Sequence, residues 1–76
     1  MSAHGTATRL LAGALMMAEP DVPRDARLGR VEQWDSLAHA RLLLALEENL
    51  GRMLTPDEAV AIEGLDDIAK LLEAKR

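Results

Sequence analysis

The sequence predicts an all-α fold, a small four-helix bundle with a long loop between helices 1 and 2 and a short third helix. Three observations predict it. Leu (14) and Ala (13) supply 27 of the 37 apolar residues, while Val, Ile and Thr together number eight. Leu and Ala favour helix, and a shortage of β-branched residues disfavours sheet. Apolar positions recur at helical spacing, and capping residues and glycines punctuate the segments between them. With 76 residues the chain has room for one core, so residues 1–76 are expected to form one domain.

Residues 1–5 are expected to form a flexible N-terminus, with the first helix running from Thr6 to Met17. Thr6 or Thr8 can cap it, and Leu10, Leu11, Ala14, Leu15 and Ala18 make one apolar stripe. Gly13 weakens this helix, and Pro20 and Pro23 forbid its continuation. The stretch from Glu19 to Trp34 has two prolines, alternating charges and no helical period, so it reads as a loop. Loops this long in small domains are functional or firmly tied down, and Val22, Leu28 and Val31 are the expected anchors. The second helix begins at Asp35 or Ser36 and stops at Gly51, a residue that accepts the left-handed conformation past a helix end. The third starts at Thr55-Pro56-Asp57-Glu58, a capping box with Pro in the first helical position, and ends by Ile62 or Glu63. The last starts near Gly64 and buries Leu65, Ile68, Leu71 and Leu72; its acids lie early and its bases late, as the helix dipole favours.

The second helix holds more leucine than one face can bury. Leu42, Leu43, Leu46 and Leu50 form a core stripe, and Leu37, Ala40 and Leu44 lead toward Glu47 and Glu48 on another side. Two readings are open for this second stripe: more core, or a partly exposed docking surface. The charge of −4 is concentrated nearby, since residues 31–64 hold seven acids and two bases. That acidity would steer a basic partner surface, or serve only to keep a solvated face soluble.

Composition excludes several classes. There is no cysteine for a disulfide or thiolate site, and no basic stripe for nucleic acid. No apolar run approaches membrane-spanning length. The first residues lack the cationic and apolar regions of a signal peptide, so cytoplasm is the expected address. His4 and His39 do not form a metal-ligand pattern, so no metal is expected. Ser36 and His39 lie one helical turn apart, but no nucleophile elbow or oxyanion loop accompanies them, so no enzyme activity is expected. His39 is expected at the surface, Trp34 in packing at the start of the second helix, and Met16 and Met17 as adaptable core or edge contacts.

Asp35-Ser36-Leu37 decides the functional expectation. An Asp-Ser pair at a helix start is by itself a cap. The same position favours a phosphate, because free backbone N–H groups and the helix dipole both attract negative charge. Trp34-Asp35-Ser36-Leu37 at the head of a Leu-rich helix, followed by Ala45-Leu46-Glu47-Glu48-Asn49-Leu50-Gly51, resembles the acyl carrier protein family. The resemblance extends to the short helix after Thr55 and the closing helix, and is most specific from Val31 to Gly51.

The resemblance implies that Ser36 receives phosphopantetheine from coenzyme A, whose thiol carries acyl groups as thioesters. Asp35 would flank the site and assist recognition or the modifying enzyme's metal site. Leu37, Ala40, Arg41, Leu44, Glu47 and Glu48 would face partners: a phosphopantetheinyl transferase, an acyl ligase or acyltransferase, and ketosynthase-type enzymes. Met53, Val60 and Ile62 would line a space for an acyl chain, and the carrier would be a monomer. The chain departs from many fatty-acid carriers. Gln33-Trp34 replaces their glycine and small residue, and Ala38, His39, Ala40 and Arg41 stand where acids are common. A dedicated lipid or polyketide-type pathway, rather than housekeeping fatty acid biosynthesis, is therefore expected. An aminoacyl carrier of the same fold and an unmodified helical adaptor are the alternatives.

Overall fold

The computed structural model describes residues 3–74, and among these the regular secondary structure is helical, with no strand. Helix α1 spans Ala3–Leu15, α2 Ser36–Leu50, α3 Pro56–Ala61 and α4 Leu65–Glu73, with a 3-10 turn at Glu19–Asp21. Helix α1 packs against both α2 and α4. Leu11, Trp34, Leu42, Leu46 and Ile68 are the largest fully buried side chains, and no polar or charged residue is buried among the described residues. The core is thus wholly apolar, and hydrophobic burial is its main stabilising term.

Helix α1 begins three residues earlier than expected, so Ala3–Gly5 are helical and not a flexible tail. Met1 and Ser2 lie outside the described residues. Neither threonine caps the helix. Both lie inside it, where the Thr8 hydroxyl donates to the His4 carbonyl at 2.9 Å, a bond available to Thr within a helix. Ala7, Leu11, Ala12, Ala14 and Leu15 are its buried face, with Leu10 partly buried. The expected stripe member Ala18 is exposed, because the helix has already ended.

That ending is unusual. The Met17 amide donates to the Ala12 carbonyl at 3.0 Å and the Met16 amide to the Gly13 carbonyl at 3.3 Å. This pair of bonds is a Schellman motif, and it puts Met16 at the left-handed position with φ 58°. Met16 is 80% exposed, not a core contact, whereas Met17 packs partly against the core. A side chain in this conformation carries strain of about 1 kcal/mol that glycine relieves. Met16→Gly is therefore expected to stabilise the domain by roughly 0.5–1 kcal/mol, a rise in Tm of a few degrees by differential scanning calorimetry.

The long loop is tied down. Val22 and Ala26 are buried. The Leu28 amide donates to the Glu63 carbonyl at 2.8 Å, Arg27 pairs with Gly64 in an isolated antiparallel bridge, and the Arg27 guanidinium meets the Glu63 carboxylate at 3.2 Å. Gly64 permits this approach, since a Cβ there would lie 3.3 Å from the Ala26 carbonyl oxygen. Of the expected anchors, Val22 is buried and Val31 half-buried, but the Leu28 side chain is 39% exposed. Leu28 anchors the loop through its backbone instead.

Helix α2 buries Ala38, Leu42 and Leu46, with Leu43 and Leu50 partly buried. Gly51 closes it in the left-handed conformation at φ 74°, its amide donating to the Glu47 carbonyl. Helix α4 buries Leu65, Ile68, Ala69 and Leu72; Leu71, expected in the stripe, is only partly buried and Ala69 takes its place. The Asp67 carboxylate accepts from both the Glu63 and Gly64 amides at 3.0 Å.

Helix α3 ends at Ala61 and buries none of its residues, so polar bonds hold it. The Glu58 amide donates to Thr55 Oγ1 at 3.1 Å, and the Glu58 carboxylate accepts from the Thr55 amide at 2.9 Å. Arg52 donates to the same carboxylate through both guanidinium arms, at 2.9 and 2.8 Å. The Arg52 bonds, then the Thr55 amide, hold the Glu58 carboxyl well below its ordinary 4.5, at about 2. The folded state therefore resists a proton that the unfolded chain takes up near pH 4.5, and the contribution is lost as pH falls toward about 2. Chemical denaturation between those limits is expected to show a shallower pH dependence in Glu58→Gln than in the parent. Added salt should narrow the difference, because the pair is at the surface.

Candidate modification site at the head of the second helix

The site is built from the loop end and the first turn of α2. Trp34 is 1% exposed and fills the core beneath the junction. Its amide donates to the Val31 carbonyl at 2.9 Å, and its carbonyl accepts from the Gly29 amide at 3.4 Å. Gly29 adopts φ 86°, a conformation that suits glycine. Asp35 is the N-cap in extended conformation, and its Oδ1 accepts from the Ala38 amide at 2.8 Å. The Asp35 carbonyl accepts from the His39 amide at 2.9 Å.

Ser36 is the first helical residue and is exposed. With Asp35 holding the cap, the serine hydroxyl is left pointing to no protein acceptor among the described residues. The amides at the start of a helix have no intrahelical acceptor, so the first turn carries a local positive potential. A nucleophile-bearing side chain here is accessible, and an anion attached to it would be favourably placed.

The second leucine stripe is an outer surface. Leu37 is 65% and Leu44 62% exposed, and Ala40 and Glu48 are exposed beside them. At ~100° per residue, Leu37, Ala40 and Leu44 lie roughly opposite the buried Ala38, Leu42 and Leu46, with Ser36 at the edge of the outer stripe. Two other expected docking residues are already engaged. Arg41 Nε donates to the Ala14 carbonyl at 3.0 Å, tying α2 to the end of α1. Glu47 is half-buried and accepts from the Leu54 amide at 2.9 Å, holding the turn into α3.

His39 is half-buried rather than a free surface residue. The Trp34 indole N–H donates to its Nδ1 at 3.1 Å, and the two ring centroids lie 6.1 Å apart with a 28° interplanar angle. No pattern of spacing signalled this contact; its only hint was an unpaired indole donor five residues from an imidazole.

The expected acyl-lining set does not come together. Met53 and Val60 are 79% and 78% exposed, while Ile62 is buried. Ile62 lines an apolar surface groove of about 260 Å³ between α3 and α4, with Ala61 and Leu71. Two further grooves, of about 600 and 290 Å³, lie along the long loop beside Leu65. None of the three includes Ser36. Helix α3 is too short to cover α2 with Val60, which instead faces outward.

His4 lies 3.5 Å from the Asp66 carboxylate, far in sequence from His39. Among the described residues no group of three or more His, Cys, Asp or Glu could hold a metal ion, and no helix is long and apolar enough to cross a membrane. No protein-family model matches this chain, and no curated protein matches it.

Proposed function

We propose that this chain is an acyl carrier protein, with Ser36 as the attachment point for phosphopantetheine. One observation carries the reading: an exposed, unengaged serine hydroxyl opens α2, while the neighbouring Asp35 does the capping. A serine retained for structure would be expected to make the cap itself. The residues suit the group. A phosphodiester on Ser36 Oγ would lie in the field of the first turn, next to backbone donors. In the attachment, Ser36 Oγ forms a bond to the phosphorus next to the pantetheine arm of coenzyme A. The pyrophosphate bond breaks, the adenosine bisphosphate leaves, and the serine proton passes to a base of the transferase. Once attached, the arm supplies a thiol that holds acyl groups as thioesters.

The protein's part is then display and docking, not chemistry, so it is not itself an enzyme. Exposed Leu37, Ala40 and Leu44 supply an apolar contact, and Glu48 supplies charge beside it. Such a patch suits a transferase, an acyl ligase or acyltransferase, and ketosynthase-type enzymes with basic rims. Gln33-Trp34 and the weakly charged first turns of α2 favour a dedicated lipid or polyketide-type pathway over housekeeping fatty acid biosynthesis. The test is intact mass after incubation with coenzyme A, magnesium and a broad-specificity phosphopantetheinyl transferase. A gain of one phosphopantetheine is expected. No gain, with this and a cognate transferase, would overturn the reading in favour of an unmodified docking module.

A further inference from the structure

We infer that His39 is a positioning residue for the modification of Ser36, fastening the loop to the helix across the serine by accepting the Trp34 indole proton. The inference rests on the carrier reading above. Two bonds reach back from His39 past Ser36: its Nδ1 accepts from the Trp34 indole at 3.1 Å, and its amide donates to the Asp35 carbonyl at 2.9 Å. The second is ordinary helix geometry. The first is a side-chain link between the last loop residue but one and the first turn of the helix. It brackets Asp35 and Ser36 on both sides.

The loop side of the link is itself anchored. The Trp34 ring is 1% exposed, and its backbone is bonded to Val31 and Gly29. The ring therefore cannot follow the helix if the helix shifts. Ser36 has no side-chain bond of its own among the described residues, so its place is set by these neighbours. A transferase must bring Ser36 Oγ in line with a phosphorus, and in-line displacement is sensitive to misplacement on the order of 1 Å. Releasing the link leaves the serine present and exposed but less well held.

Three chains decide the matter: the parent, His39→Ala and His39→Asn, each assayed for modification rate well below its melting temperature. The asparagine amide oxygen stands near the place of Nδ1 and can take the indole proton. His39→Ala is expected to lose about tenfold in kcat/KM for modification with unchanged helical content. His39→Asn should recover most of that loss, which a purely volumetric or stability effect would not produce. The indole proton, unique because Trp34 is the only tryptophan, should exchange faster in His39→Ala and near the parental rate in His39→Asn. A folded His39→Ala modified at the parental rate would overturn the inference while leaving the carrier reading intact. So would equal slowing in both variants. A parent chain that no transferase modifies would overturn both together.

Discussion

Ser36→Ala is expected to abolish phosphopantetheine attachment completely while leaving the domain folded. The modification needs an oxygen nucleophile, and alanine has none, so the effect on mass gain is all-or-none. The stability cost should be small, within about 0.5 kcal/mol, because the substitution is exposed and removes no hydrogen bond. The cap stays with Asp35, whose carboxylate holds the Ala38 amide at 2.8 Å. Asp35→Ala makes the useful contrast: a cap is lost, about 1 kcal/mol of stability with it, and the nucleophile remains. Intact mass and urea denaturation on the two variants separate the roles. If Ser36→Ala still gained mass, the attachment point would be elsewhere and the carrier assignment of this residue would fail.

Trp34→Ala is expected to cost about 3–5 kcal/mol, the largest stability effect of any single substitution considered. Trp34 is the only aromatic residue and is 1% exposed, so its removal leaves a cavity at the centre of contact between the loop and the bundle. It also leaves His39 Nδ1 without its donor. A 76-residue domain has roughly 4–11 kcal/mol of stability in total. The variant should therefore be partly or wholly unfolded at ambient temperature by circular dichroism. Trp34→Phe keeps most of the volume and loses only the indole donor, so it should stay folded at a smaller cost. A Trp34→Ala chain that melts like the parent would mean the loop is not seated on the core as described.

Much of the fold was readable from local signals. The Thr55–Glu58 capping box, Gly51 past the end of α2, and the Leu42 and Leu46 core positions depend on residues three or four apart, and each is found as expected. Helix α1 starts earlier than local signals indicate: threonine reads as a cap, but Thr8 satisfies its hydroxyl on the carbonyl one turn back and lets the helix run through. Met16 was unreadable as a helix end because the left-handed position normally calls for glycine.

The candidate site divides along the same line. The helix start at Asp35-Ser36 and the stripe of Leu37, Ala40 and Leu44 could be read from spacing, since both follow from the chain order at ~100° per residue, whereas a role for Ser36 beyond the helix start is what the family resemblance implies. Which leucine stripe would be covered could not, because that depends on where α1 and α4 press against α2. Exposure of Leu37 and Leu44 came only with that packing. For the same reason Arg41 and Glu47, expected on the docking surface, are engaged with Ala14 and Leu54, and Met53 and Val60, expected to line an acyl space, are exposed.

Helix content, the two ends of α2, the Thr55–Glu58 capping box and the place of Ser36 after the Asp35 cap are properties of short stretches, and the amino-acid order determined them through backbone propensity and hydrogen bonds over a single turn. The seating of the long loop on Glu63 and Gly64, the Trp34–His39 link and the tie from Arg41 to α1 were decided by the tertiary structure. They join groups whose approach depends on how whole helices pack, and helix packing is set by the summed burial of many side chains rather than by any local pair.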